Sequence, residues 1–152
     1  MITIEIVRFC SVECKMQMSG EESVYWMVDG YEWAQENSQE PPIPEQIEWL
    51  GSLIEPYKNA SGFRHVPVYV SGNEKLYHAL IPEAINSLCQ ALDNYTLEPD
   101  EWFREYENIH PFVDGNGRTG AILFNWISGT LDNPKWPPNF WHDPRRKPGY
   151  GC

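Results

Sequence analysis

The stretch from Thr119 to Ser128 does most to constrain the fold. It carries Ala121, Ile122, Leu123, Phe124, Trp126 and Ile127 and is apolar nearly all round. A helix with no polar face belongs at the centre of a core, covered on several sides by other elements. Gly129 follows directly as a natural helix stop.

Three other segments have the period needed to cover it, and a proline opens each. After Pro44, Ile47, Leu50 and Ile54 share a face, with Leu53 and Tyr57 beside them. Pro82 precedes Ile85, Leu88, Cys89 and Leu92, and Pro99 precedes Trp102, Phe103 and Tyr106. Proline suits the first turn of a helix, where its missing N–H would have no partner anyway. Between the first two, Gly62-Phe63-Arg64 leads into Val66, Pro67, Val68, Tyr69 and Val70, closed by Ser71-Gly72. That pattern predicts a short β segment, and Pro67 limits it to an edge strand or hairpin. At the N-terminus, Ile2, Ile4 and Ile6 alternate with Thr3, Glu5 and Val7, and Ser23 to Val28 is strand-like before Asp29-Gly30. These two stretches predict a small β element within residues 1–40. Residues 35–44 read as a connector. The proline- and tryptophan-rich tail, with His142 and the basic group Arg145, Arg146 and Lys147, reads as an arm packed by its aromatics or a strip for a partner.

The length of 152 residues suits one domain, and an apolar fraction of 41% is that of a globular chain. A formal net charge of -11, from 11 basic and 22 acidic residues, makes nucleic acid a poor partner. Cys10, Cys14, Cys89 and Cys152 form no CxxC pair and no zinc set, so free thiols are expected. No run approaches the ~20 apolar residues of a membrane span. The opening residues have no export signal. A cytoplasmic location, with no membrane partner, is the expectation.

Chemistry concentrates in His110-Pro111-Phe112-Val113-Asp114-Gly115-Asn116-Gly117-Arg118, just before the central helix. An imidazole is a base that works near neutral pH. A lone carboxylate suits Mg²⁺, which bridges phosphate oxygens. Glycines let backbone N–H groups approach an anion, and the start of the following helix adds its own N–H groups. Asn116 can donate a side-chain hydrogen bond to phosphate, and Arg118 adds a fixed charge. The other histidines, His65 and His78 among them, have no such company.

HPFVDGNGR resembles the motif of the Fic/Doc (Fido) family, HPFx(D/E)GNGRxxR, at nine consecutive positions. The lead-in Glu107-Asn108-Ile109 and the Gly62-Phe63-Arg64 entry to the β segment also fit, so the resemblance covers roughly residues 44–130. It implies a mainly α Fido-type helical bundle with a short β-hairpin flap, to which the small N-terminal β element would be appended. The expected organisation is a single domain, 1–152, with an N-terminal extension (1–40), a catalytic core (41–131) and a tail (132–152). The resemblance further implies AMP transfer from ATP to a Ser, Thr or Tyr hydroxyl of a target protein, as in toxins and effectors. His110 would be the base and Asp114 the Mg²⁺ ligand. Gly115, Asn116, Gly117 and Arg118 would cradle the nucleotide, and Val66, Val68, Tyr69 and Val70 would dock the target. Mg²⁺ and ATP are the implied cofactor and co-substrate.

One departure matters. Ala121 stands where the pattern has its second arginine, which in the family generally holds the terminal phosphates. Such a loss leaves three readings open: weaker ATP binding with AMP transfer kept, another nucleotide or phosphodiester donor, or a degenerate, non-catalytic binding module. Gly117, where the Doc-type kinase branch has lysine, favours nucleotidyl transfer over phosphorylation. The family's inhibitory (S/T)xxxE(G/N) helix has no match, so control would fall to a separate inhibitor or antitoxin chain, if to any.

Overall fold

The computed structural model describes residues 1–140. It is mainly helical: α1 (Ile4–Met16), α2 (Glu22–Asn37), α3 (Pro44–Ile54), α4 (Ile81–Asp93), α5 (Pro99–Ile109) and α6 (Asn116–Ser128). One antiparallel hairpin, β1 (Tyr69–Val70) and β2 (Asn73–Glu74), lies between α3 and α4, followed by a single 3₁₀ turn at His78–Leu80. Helix α6 is the central element and packs against α1, α2, α3 and α5. Ala121, Ile122 and Leu123 are fully buried there, as the apolar run requires.

The helices at Pro44 and Pro99 begin on those prolines, and the one expected at Pro82 begins one residue earlier, at Ile81. At Ile43 and Glu98 the backbone N–H just before each helix donates to a side chain three residues on, Gln46 and Glu101. The faces expected to be apolar are the buried ones: Ile47, Leu50 and Ile54 in α3, and Ile85, Leu88, Cys89 and Leu92 in α4.

The N-terminal β element does not exist; residues 2–7 and 23–28 lie in or at the start of helices α1 and α2. Thr3 caps α1 by accepting from the Ile6 N–H, and the buried set Ile6, Phe9, Cys10, Glu13 and Cys14 has helical spacing. The alternation of Ile2, Ile4 and Ile6 was accidental: Ile6 is fully buried whereas Ile4 is exposed. In α2, Ser23, Met27, Gly30, Tyr31 and Ala34 form the buried stripe, so Gly30 is not a turn but a close approach to Ile54 and Leu50 of α3. The connector is correspondingly shorter, because residues 35–37 still belong to α2.

The hairpin is where the β segment was expected, but smaller. Tyr69 and Val70 pair with Glu74 and Asn73, whereas Val66 and Val68 lie outside the strand. Ser71 and Gly72 both have positive φ, the twist a two-residue hairpin turn needs. The start of the tail packs as an arm: Trp136 lies tilted against Phe9 of α1 with ring centroids 4.5 Å apart, and Lys135 N–H and C=O both bond the Asn125 amide. His142 and the basic group at 145–147 lie outside the described residues.

Candidate active site

The motif loop is built by two helix ends. Helix α5 stops at His110, which takes a left-handed conformation (φ 52°) while its N–H still donates to the Tyr106 carbonyl. A positive φ is strained for a residue with a side chain. Arg64 over-determines it: its Nε donates to the His110 carbonyl at 2.7 Å and Nη2 to that of Ile109 at 3.2 Å. The same guanidinium holds the carbonyls of Val66 and Leu76, on either side of the hairpin. Arg64 therefore braces the flap and the loop through backbone oxygens. The Phe112 ring is fully buried against the α-carbon of Gly51, a face that no larger residue leaves open. Gly115 turns the chain into α6 with φ 77°, and Ile54 and Glu55 crowd the place a β-carbon would take.

Burial holds the His110 imidazole at a pKa of about 4, with the positive charges of Lys75 and Arg64 adding to the effect and the Glu107 carbonyl and Asp114 opposing it. The ring is neutral at pH 7, as a proton acceptor must be. Its Nδ1 is buried with no hydrogen-bond partner.

Asp114 is half-exposed. Its Oδ1 accepts the Gly115 N–H at 2.7 Å, and its Oδ2 accepts Lys58 Nζ at 2.7 Å. Burial alone would raise its pKa; the Lys58 hydrogen bond, the Gly115 N–H and the charges of Arg118 and Lys58 outweigh that and hold it below the usual carboxylate value. Arg118 is 2% exposed and donates through Nη2 to Glu55 Oε1 at 2.7 Å, with Asp114 Oδ1 at 3.6 Å. Its Nε and Nη1 are buried donors with no partner. The Asn116 amide bonds within the loop, accepting the Phe112 N–H at 2.8 Å and donating to the Phe112 carbonyl at 2.9 Å. Gly117 lies in the first turn of α6, and the Gln17 amide packs against its α-carbon. No side chain caps α6.

Three partners were not apparent from the sequence. Glu55, Lys58 and Asn59 follow α3 and grip the loop from the other side. The buried Asn59 donates to the carbonyls of Asp114 at 2.9 Å and Gly51 at 3.0 Å, tying the loop to α3. A signal existed for Glu55: it falls four residues after the buried Gly51, so its acid lies on an apolar stripe and calls for a buried partner.

A cavity of about 620 Å³ adjoins the loop. Its walls include Gln17, Trp26, Glu55, Tyr57, Lys58 and Asp114. Asp114 thus reaches the cavity, whereas His110, Arg118 and the flap residues Val66, Val68, Tyr69 and Val70 are not among its walls. Val66, Tyr69 and Val70 are instead exposed to solvent.

The Fic/DOC family model matches residues 44–128, from the first residue of α3 to the last of α6. The chain belongs to the Fic/DOC family. No curated protein is significantly similar to it. Helices α1 and α2 of this Fic/DOC chain precede the matched region, yet both pack on α6 and complete its core. Ala121 is fully buried in that core. Among the described residues no helix is long and apolar enough to cross a membrane.

Proposed function

We propose that this Fic/DOC protein is a protein nucleotidyltransferase that moves AMP from ATP to a side-chain hydroxyl of a target protein. The observation that carries the reading is His110: a neutral imidazole on a backbone that Arg64 braces at the end of α5, four residues before a carboxylate that reaches a cavity. Because Nδ1 is buried, Nε2 is the nitrogen left to take the hydroxyl proton. As that proton moves, the hydroxyl oxygen bonds to the α-phosphorus. The bond from that phosphorus to the bridging oxygen breaks, and pyrophosphate leaves with the electron pair.

The residues fit an anionic group. The uncapped start of α6 and the two unpaired Arg118 donors are positive groups beside the loop. Among the described residues no trio of His, Cys, Asp or Glu gathers as a metal cluster. Mg²⁺ needs none, since one carboxylate together with phosphate oxygens suffices, and Asp114, now paired with Lys58, is the residue that would hold it. Bound there, the ion would supply charge to the phosphates. The exposed hairpin edge suits an extended target segment that adds a strand to it.

A second reading has its own support. The Asn116 amide bonds Phe112 through both its oxygen and its nitrogen, and Arg118 is paired with Glu55. A non-catalytic binding module would keep such contacts permanently. Incubating the protein and a bacterial lysate with α-³²P-ATP separates the two. Transfer labels a protein band that His110→Ala abolishes, whereas the module leaves no label. Label from γ-³²P-ATP alone would mean kinase chemistry instead.

A further inference from the structure

We propose that Lys58 is the cation that grips the donor's phosphates at this site, in place of the arginine absent at position 121. The proposal rests on the nucleotide-transfer reading above.

Position 121 is closed to that role. Ala121 is fully buried in the core among α6's neighbours. Arg118 is committed behind Glu55 and is not a wall of the cavity. Among the described residues Lys58 is the one cationic side chain in the cavity's walls, 58% exposed and held over Asp114. The acids around it are unequal. Asp114 is neutralised by Lys58, and Glu55 by Arg118, which leaves Glu21 and Glu22 exposed in the wall. Among the described residues that line the cavity, Lys58 is therefore the favourable side-chain charge an anion meets on entering.

The geometry leaves that charge usable. An ammonium has three donors, and one is spent on Asp114 Oδ2 at 2.7 Å. The other two can reach phosphate oxygens without breaking the pair, and Asp114 fixes a side chain that would otherwise lose much rotamer freedom on binding. A divalent ion held by Asp114 would compete with Lys58 for that carboxylate, so the residue would carry two opposed consequences for binding.

Calorimetry on the full chain tests both. With tripolyphosphate in EDTA, Lys58→Gln should bind roughly ten- to a hundredfold more weakly than the unaltered protein, the span of a lost charge-assisted contact. Lys58→Arg should retain most of the affinity. With Mn²⁺ alone, Lys58→Gln should bind several-fold more tightly, because the Asp114 carboxylate is freed. Tripolyphosphate affinity within twofold of the unaltered protein, or Mn²⁺ binding no tighter, overturns the proposal. If the unaltered protein binds ATP and Lys58→Gln binds it equally well, Lys58 alone is excluded. If the unaltered protein binds neither ATP nor tripolyphosphate, with or without Mg²⁺, the nucleotide reading falls and takes this one with it.

Discussion

Arg118 and Glu55 form an ion pair at 2.7 Å with both side chains almost wholly buried, and the pair joins the start of α6 to the end of α3. Removing one partner of such a pair leaves an uncompensated buried charge, which costs about 3–5 kcal/mol. Glu55→Ala should therefore lower the midpoint of thermal unfolding markedly. Glu55→Gln, which keeps an acceptor, should do so less. Differential scanning calorimetry of the two variants checks the order, and equal midpoints would mean the pair contributes little.

His110 sets a pH window. Its folded pKa of about 4 lies below the ordinary value of 6.5, so between those limits the unfolded chain binds the extra proton. Stability should fall as pH drops from 6.5 towards 4, by on the order of 3 kcal/mol at most. His110→Asn should flatten that part of the profile in urea unfolding. Any transfer rate should likewise show no inflection near pH 6.5, because the imidazole stays neutral well below it.

Ala121→Arg, the substitution that would restore the motif's second arginine, should not strengthen donor binding. The position is fully buried, so a guanidinium there overpacks α6 and buries an unpaired charge. The expected result is loss of several kcal/mol of stability in denaturant titration, with no gain in ATP affinity.

Two glycines should respond very unequally. Gly51→Ala drives a β-carbon into the buried Phe112 ring, and the loop must move; a loss of roughly 2 kcal/mol or more is expected in chemical denaturation. Gly117→Ala meets only the mobile end of the Gln17 side chain, in helical backbone, and should cost under about 1 kcal/mol.

Arg64→Lys should loosen both the flap and the loop. Lysine cannot reach four carbonyls that a guanidinium holds together, those of Val66, Leu76, Ile109 and His110. Amide exchange at Tyr69 to Glu74 should quicken at least tenfold, and unchanged protection there would reduce Arg64 to a brace for the loop alone.

The sequence made the region from α3 to α6 legible because its helices are long, begin at or next to prolines and keep one apolar face in phase. It misled at the N-terminus because six residues are too few to tell a period of two from one of 3.6; only Phe9, Cys10, Glu13 and Cys14 reveal the helix. The motif residues could be read because they are contiguous. Their partners could not, since Lys58 meets Asp114 across 56 positions of chain and Arg118 meets Glu55 across 63. The buried state of Arg118 and the bonded amide of Asn116 depend on those distant contacts and on packing, which no local pattern encodes.

The guanidinium of Arg64 gives the hairpin and the histidine a common anchor. A peptide that added itself to the edge of β1 or β2 would pull on the same anchor that holds the backbone of His110. Under the proposed chemistry, seating of the acceptor and placement of the base would be mechanically coupled.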